Sequence, residues 1–138
     1  MEFEYSSFRN VQGTFFRPTI NVAFQYKETR FPYEEAIVDT GSDYVLLPMS
    51  IAEKIGAEPD FDFATEFNCA CGGVFKGYAS RHPIEIIVEH EGFRPRKWAT
   101  PVQIIDANIA PLLRHRGFLD RFDAKFFGKR HIMELHEC

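Results

Sequence analysis

The residue of this chain that could do chemistry is Asp39, an acid in the tetrapeptide Asp39-Thr40-Gly41-Ser42. A carboxylate held on a turn can take a proton from water as a general base, or give one as a general acid. Asp and Gly are also common in turns without a catalytic role, where the Asp side chain bonds to the backbone. The tetrapeptide therefore indicates either a catalytic carboxylate or an ordinary hydrogen-bonded turn.

Two apolar runs flank the tetrapeptide and must hold it in place. Glu35 to Val38 leads into it, and Tyr44 to Leu47 follows it directly. Ahead of them, apolar residues from Ile20 to Tyr26 recur at every second position, the period of a strand with one buried face. These runs predict a tight loop that carries the carboxylate of Asp39 between buried strands.

Short elements fill the rest of the chain, and most of them are predicted strands. Ser50 and Glu53 are typical of a helix start and Gly56 of a helix end, which predicts a helix over Ile51 to Ile55. The other predicted elements are a glycine-containing hairpin over Cys69 to Tyr78, strands over Ile84 to Val88 and Trp98 to Ile105, a helical turn over Phe118 to Phe122, and a closing hairpin over Ala124 to Leu135. No linker or repeat interrupts them, so we expect one domain over residues 1–138.

The composition is that of a globular protein without a basic character. With 138 residues, 45% apolar and 26% charged, the chain suffices for one hydrophobic core and not for two. Its 15 Phe residues favour half-buried pleated sheets. The formal net charge of −4 argues against a nucleic-acid partner, and we interpret the basic cluster Arg94, Arg96 and Lys97 as a solvated hairpin end.

The sequence also bears on the compartment. No apolar run has membrane-spanning length, and the N-terminus lacks the succession of basic, apolar and small residues that is typical of a signal peptide. We therefore expect a cytoplasmic protein with no membrane partner. Three cysteines, Cys69, Cys71 and Cys138, cannot form a closed disulfide set within one chain. That number agrees with a reducing compartment.

Two lesser alternatives concern the cysteines and histidines. Two sets of residues could be imagined as zinc ligands, although neither has the paired close spacing of a structural zinc motif. The sets are Cys69 and Cys71 with His82 or His90, and His131 with His136 and Cys138. Cys69 and Cys71 could also act as a redox switch. We expect ordinary packing for these residues, and neither a metal nor a cofactor.

The run of two apolar residues before Asp-Thr-Gly-Ser, here Ile37 to Ser42, resembles the signature of retropepsin-like (retroviral-type) aspartic peptidases. The chain is similar to the stand-alone prokaryotic kind from about Pro18 to Leu135. Proteins of that kind have a glycine-rich flap, which Cys71-Gly72-Gly73 resembles. They also have an apolar pair ahead of a helix and a hairpin, which Leu112-Leu113 resembles. The resemblance implies an all-β acid-protease fold, a closed β-barrel with one or two short helices, assembled as a two-fold homodimer.

The resemblance further implies an aspartic endopeptidase acting on a peptide or protein substrate. Hydrolysis needs one group as base and another as acid, so Asp39 of each of two chains would meet at the two-fold axis. Carboxylates about 3 Å apart share one proton. Thr40, Gly41 and Ser42 would complete the catalytic loop. The substrate-binding residues that it implies are Asp43, Cys71, Gly72, Gly73, Leu112 and Leu113.

The chain departs from the family pattern directly after Leu112-Leu113, where Arg114-His115 replaces the family's Gly-Arg. A glycine there lets the strand pass close beneath the catalytic loop, so Arg114 must point away or displace the strand, unless Gly117 substitutes. The family's Arg pairs with the acid that is Asp43 here, and His115 or Arg116 could serve. An Arg114 that faced the carboxylates would favour their charged forms and impair catalysis.

This departure supports an alternative function, a catalytically silent retropepsin-like dimer that binds peptides or assists assembly. In either case the alternation at Phe3 and Tyr5, and again over Ile132 to Leu135, predicts strands at both chain ends. In viral relatives such ends interleave into one sheet across the two-fold axis, which covers edges that otherwise promote aggregation. We expect the same arrangement here.

Overall fold

The computed structural model describes residues 1–68 and 73–137, most of which lie in strands. In chain order the elements are β1 (Glu2–Glu4), β2 (Ser6–Asn10), β3 (Gly13–Arg17), β4 (Thr19–Tyr26), β5 (Thr29–Val38), β6 (Leu46–Pro48), α1 (Met49–Ile55), β7 (Pro59–Asn68), β8 (Val74–Ser80), β9 (Ile84–Val88), β10 (Arg96–Thr100), β11 (Gln103–Ile105), β12 (Leu112–Leu113), a 3-10 helix (Leu119–Arg121), β13 (Phe122–Phe127) and β14 (Ile132–Glu137). The fold is therefore all-β with one short α-helix, which confirms the predicted class.

The largest sheet is mixed and has the order β10-β9-β4-β5-β12-β6-β11-β8-β7. β12 inserts between β5 and β6, parallel to the first and antiparallel to the second. This insertion brings the chain that follows Leu113 directly against the loop between β5 and β6. The order does not return from β7 to β10, so the predicted closure into a barrel is not found among the described residues.

The face of β4 that was predicted to be buried is largely buried, but Thr19 and Ala23 on the other face are buried as well, so the prediction of a single buried face is wrong. The buried residues of the predicted face are Ile20, Val22 and Phe24. They belong to one hydrophobic core cluster that also contains Val38 and Leu113. Burying an aliphatic side chain of this size contributes about 1.5–3 kcal/mol. The strands that lead to the tetrapeptide are thus anchored by the core.

The helix α1 corrects the predicted start and confirms the predicted end. Ser50 is not the N-cap, because the helix begins at Met49 after an extended Pro48, and no side chain caps it. Pro48 still pairs with Ile105 of β11, so strand β6 runs directly into the helix. Gly56 ends the helix with φ of +76°. Only Gly adopts this left-handed conformation without strain, which is why it stops the helix.

The predicted strand over Trp98 to Ile105 is in fact two strands. β10 pairs with β9, whereas β11 pairs with β6 and β8. Pro101 lies between them and has no N–H to donate, so it ends one ladder where the other begins. The predicted helical turn over Phe118 to Phe122 is shortened to a single 3-10 turn over Leu119–Arg121.

The chain ends form strands as predicted, and these strands pair with each other within one chain. β1 lies along β14 with Phe3 opposite Met133, and β13 covers the other edge of β14. The N-terminal amine of Met1 also donates to the carbonyl of Leu135 at 2.9 Å. β14 therefore has no free edge, and an exchange of chain ends between two subunits stays a prediction.

The basic cluster lies at the start of β10, and two of its cations are paired. Arg96 forms an ion pair with Glu137, and Lys97 forms one with Glu85 at 2.7 Å. Arg94 is exposed in the preceding turn. In the part of the chain that the structure describes, no helix is of a length and apolar character that would let it cross a membrane.

Candidate active site

The Asp39 loop, residues 39–43, leaves the sheet where β5 ends and returns to it at Tyr44, which bridges to Arg116. Val38 and Val45 on either side of the loop are buried, at 4% and 0% exposure. Residues 40–43 are exposed. The loop therefore stands at the molecular surface on a base fixed in the hydrophobic core.

Both carboxylate oxygens of Asp39 accept a hydrogen bond from their own chain. Oδ1 accepts from the backbone N–H of Gly41 at 2.9 Å, and Oδ2 accepts from Nε of Arg114 at 3.0 Å. The backbone N–H of Asp39 also donates to the carbonyl of Leu113 at 2.9 Å. The side chain is 32% exposed, so the carboxylate is held in place while part of it remains accessible.

Gly41 lies close to this carboxylate, and a side chain there would crowd it. A Cβ atom built at Gly41 would lie 3.1 Å from Oδ1 of Asp39. That is tighter than an ordinary van der Waals contact, so a side chain there would push the carboxylate away from the Gly41 N–H. The glycine of the motif thus has a steric reason within a single chain.

The Arg114 segment, residues 114–116, runs along the Asp39 loop and is joined to it by backbone hydrogen bonds. His115 N–H donates to the carbonyl of Ser42 at 3.5 Å, and Arg116 N–H donates to that of Asp43 at 2.6 Å. Val45 N–H in turn donates to the carbonyl of Arg116 at 3.4 Å. The backbone of the segment therefore stays hydrogen-bonded to the Asp39 loop, and the expectation that Arg114 points away from Asp39 is wrong. Arg114 keeps the backbone close and turns its side chain toward Asp39.

His115 and Arg116 do not take the role predicted for them. His115 Nε2 lies 2.8 Å from the carbonyl oxygen of Thr40, and Arg116 Nη1 donates to the hydroxyl of Tyr44 at 3.2 Å. The guanidinium of Arg116 also lies over the Tyr44 ring, 5.4 Å from its centroid. No ion pair among the described residues involves Asp43. The prediction that one of these two cations pairs with Asp43 is wrong.

Gly117 has a packing role of its own rather than the role of the missing glycine. Its φ is +99°, and a Cβ atom there would lie 2.7 Å from Oγ1 of Thr100 and 3.3 Å from Val45. Its carbonyl accepts a hydrogen bond from Nε1 of Trp98 at 2.7 Å. Gly117 therefore lets the chain pack against β10 and against Val45 at the base of the Asp39 loop.

The predicted flap corresponds to the β7–β8 hairpin, whose two arms pair in antiparallel register. Cys71 and Gly72 lie outside the described residues, and Gly73 directly precedes β8. In the arms, a Cβ atom at Gly77 would lie 2.4 Å from the ring of Phe67, so the ring covers a position that only glycine leaves open. The structure thus provides the hairpin arms that a flap requires.

The remaining predicted substrate-binding residues lie in β12, beside β5, and in the Asp39 loop that follows β5. Leu112 and Leu113 pair with Ile37 and Val38, and Leu113 is fully buried while Leu112 is partly exposed. Asp43 is exposed in the loop. Leu113 therefore supports the Asp39 loop from the core, and only Leu112 and Asp43 of these residues have surface to offer a ligand.

Tyr44 belongs to the surroundings of the loop and was missed by the sequence reasoning. It is 39% exposed, directly follows Asp43, and forms a stacked, hydrogen-bonded pair with Arg116. An exposed aromatic residue next to a candidate catalytic loop was the available signal. Its partner could not be inferred, because the two residues are 72 positions apart.

The histidines that could be imagined as zinc ligands contact aromatic rings or acids. His131 stacks on Phe16 with centroids 4.0 Å apart, and His136 lies 3.2 Å from an oxygen of Glu134. Across residues 1–68 and 73–137, no three His, Cys, Asp or Glu side chains come together as a metal site would require. Cys69, Cys71 and Cys138 lie outside the described residues.

Comparisons with known proteins give a structural likeness without a family assignment. No family model matches the sequence, and no curated protein matches it. The chain is similar to a solved structure of EIAV protease in complex with the inhibitor HBY-793, at 19% sequence identity and a TM-score of 0.46. The superposition covers 71% of this chain and 81% of that one.

Proposed function

We propose that the chain is one subunit of a homodimeric aspartic endopeptidase of the retropepsin-like, stand-alone prokaryotic kind. In this proposal residues 1–138 form a single domain, and the active site forms where the Asp39 loops of two chains meet. The observation that carries it is the state of Asp39. Its carboxylate is one-third exposed, is fixed by the N–H of Gly41 at 2.9 Å, and stands on strands buried in the core.

One carboxylate for each chain explains why two chains are needed. In the proposed reaction, a water molecule lies between the two Asp39 side chains. The ionised carboxylate takes a proton from this water as its oxygen attacks the carbonyl carbon of the peptide, and the protonated one gives its proton to the carbonyl oxygen. The tetrahedral intermediate then collapses. As the C–N bond breaks, the amine leaves with the proton of the carboxyl group that received one, and a hydroxyl of the intermediate returns its proton to the other carboxylate, which leaves a carboxylic acid and restores the starting state of the pair.

The other motif residues have supporting roles in this proposal. The exposed hydroxyls of Thr40 and Ser42 can hydrogen-bond across the axis and to the outer carboxylate oxygens. In this proposal the β7–β8 hairpin, whose strands are connected in the sequence by a segment that contains Cys71, Gly72 and Gly73, would close over the substrate and exclude water. Asp43 and Leu112 would line the ends of the bound peptide. We further propose a cytoplasmic location, since three cysteines suit a reducing compartment.

Hydrolysis of casein and of a fluorogenic peptide between pH 4 and 6 tests the proposal. We expect turnover that pepstatin-type inhibitors block, and Asp39→Asn should lower it by at least about a thousandfold, because the amide can neither take nor give the proton. Glu91→Gln makes the same change from carboxylate to amide in an exposed turn and should leave turnover unchanged. Equal turnover in wild type and Asp39→Asn would refute the proposal.

One observation favours a second candidate, a dimer that binds peptides without cleaving them. The contact of Arg114 with Oδ2 of Asp39 puts a cation where the proposed reaction needs a shared proton. If this candidate is right, the purified chain folds, dimerises and binds an apolar peptide or pepstatin, and no substrate is cleaved at any pH. Peptide binding measured calorimetrically beside the hydrolysis assay separates the two functions.

A further inference from the structure

We propose that Arg114 is a charge-compensating positioning residue, which lets the Asp39 loops of two chains associate without requiring a shared proton. This inference rests on the two-fold pairing of Asp39 in the proposed function. The observation behind it is the ion pair between Nε of Arg114 and Oδ2 of Asp39, at 3.0 Å within one chain.

The ion pair is largely shielded from solvent on the side of its cation. The side chain of Arg114 is 13% exposed, against 32% for Asp39. Water and salt weaken a partly buried ion pair much less than an exposed one. Removing one partner of such a pair leaves an uncompensated charge in a poorly hydrated place. Arg114 is therefore a fixed counter-charge for Asp39 rather than a mobile surface cation.

The geometry leaves the carboxylate able to meet a second one. Arg114 occupies one position on Oδ2 and the Gly41 N–H occupies one on Oδ1. A carboxylate has about four acceptor positions on its two oxygens, so each oxygen can still accept another bond. The exposed part of Asp39 can thus face a partner chain while the ion pair with Arg114 remains intact.

Counting charges at the proposed axis shows what the arginine changes. Two ionised carboxylates placed side by side repel each other, and aspartic peptidases in general relieve this repulsion by holding one proton between the two. Two Asp39 side chains with two Arg114 side chains sum to zero without any proton. The other titratable side chains of the Asp39 loop and the Arg114 segment are directed elsewhere: His115 contacts the carbonyl of Thr40, Arg116 contacts Tyr44, and Asp43 is exposed to solvent. Arg114 is therefore the cation placed to cancel this repulsion.

A double-mutant cycle on dimerisation tests this role. The dimer dissociation constant at pH 7 is measured by analytical ultracentrifugation for wild type, Arg114→Gln, Asp39→Asn and the double variant. We expect Arg114→Gln to weaken the dimer on the order of tenfold to a hundredfold, the lower end of the range measured for close charge pairs across interfaces. In the Asp39→Asn background the same change should have an effect below about threefold, or should strengthen the dimer, because no repulsion is left to cancel.

Arg114→Lys provides the matched rescue. Lysine keeps the positive charge and loses the guanidinium geometry, so it should recover most of the dimer affinity that Arg114→Gln loses. Thermal unfolding at high chain concentration shows that each variant is folded before its affinity is compared. If Arg114→Gln does not fold, the dimer dissociation constant of Arg114→Lys is compared with that of wild type, in the presence of Asp39 and in the Asp39→Asn background. A charge role predicts a dissociation constant near that of wild type for the lysine variant.

Two results would overturn the inference. One is a dimer of Arg114→Gln as tight as wild type. The other is equal weakening by Arg114→Gln in the wild-type and Asp39→Asn backgrounds, which would assign Arg114 to packing alone. Failure of the proposed function has a different appearance. A dimer that follows the predicted cycle but cleaves nothing refutes the peptidase and keeps the inference, whereas a chain that is monomeric at all concentrations refutes both.

Discussion

The Asp39 loop and the Arg114 segment lie side by side, yet they relate to the sequence in opposite ways. The loop keeps the pattern that it resembles at all of its motif residues, and the segment departs from that pattern at Arg114 and His115. Backbone hydrogen bonds nevertheless join the two along their length. Every residue except Pro offers the N–H and C=O groups that such pairing uses. The backbone pairing between the loop and the segment is therefore kept although Arg114 and His115 depart from the pattern. The charge beside Asp39 does change, because Arg114 places a cation 3.0 Å from Oδ2 where a glycine would place none.

The first prediction disturbs the packing beside the Arg114 segment, and it has the largest expected effect on stability. Gly117→Ala should lower the free energy of unfolding by about 2–5 kcal/mol, because it forces a non-glycine residue into positive φ and crowds a neighbour. The crowding is specific, with a Cβ atom 2.7 Å from Oγ1 of Thr100. Urea denaturation followed by circular dichroism measures the change.

Gly128→Ala is the matched control for this experiment. A Cβ atom at Gly128 meets nothing within 4 Å, so the change should shift the free energy of unfolding by no more than about 0.5 kcal/mol. Similar losses in both variants would show that Gly117 contributes no more than any other turn glycine. The packing of Gly117 against β10 would then not be what keeps the Arg114 segment in place beside the Asp39 loop.

The second prediction concerns the loop alone, where a change should affect activity more than stability. Gly41→Ala places a Cβ atom 3.1 Å from Oδ1 of Asp39 and should displace the carboxylate that the Gly41 N–H holds. We expect kcat/KM to fall at least about tenfold, as misplaced reacting groups commonly cause, while unfolding in urea changes little. A variant with wild-type kcat/KM would mean that the position of this oxygen is unimportant.

The third prediction exchanges the residue that sets the two regions apart. Arg114→Gly gives the segment the family's glycine and removes the cation that competes with the shared proton at Oδ2. Measured at chain concentrations where the dimer is complete, kcat should rise about threefold to tenfold, the smallest effect of the three. A fall in kcat would show that Arg114 assists the reaction, which would break the contrast drawn between loop and segment.

Much of the fold could be predicted because it depends on the pattern of neighbouring residues. The alternation over Ile20 to Tyr26 gave β4, and Gly56 gave the end of the helix, since period and conformational freedom are properties of neighbouring residues. The same kind of reasoning was wrong at Ser50 and across Pro101. Pairing of Pro48 with Ile105, and of β11 with two distant strands, decided those positions, and such partners are not written in the local sequence.

The candidate site was predicted unevenly for the same reason. The position of Asp39 between two buried strands followed from residues on either side of it. Whether Arg114 points toward Asp39 or away could be posed but not decided, because the answer depends on a strand inserted 75 residues later in the chain. The pairing of His115 or Arg116 with Asp43 that was considered is not found: His115 contacts the carbonyl of Thr40, and Arg116 lies over the ring of Tyr44. The two partners lie 75 and 72 positions away along the chain, so local sequence does not indicate them.

The distance between the two Asp39 carboxylates in a crystal structure of the assembled protein tests the central claim most directly. The account predicts a two-fold dimer in which the nearest oxygens of the two side chains lie about 3 Å apart, with Arg114 of each chain still bound to its own Asp39. Carboxylates that lie far apart in every assembly of the crystal, or that face solvent in a monomer, would contradict it.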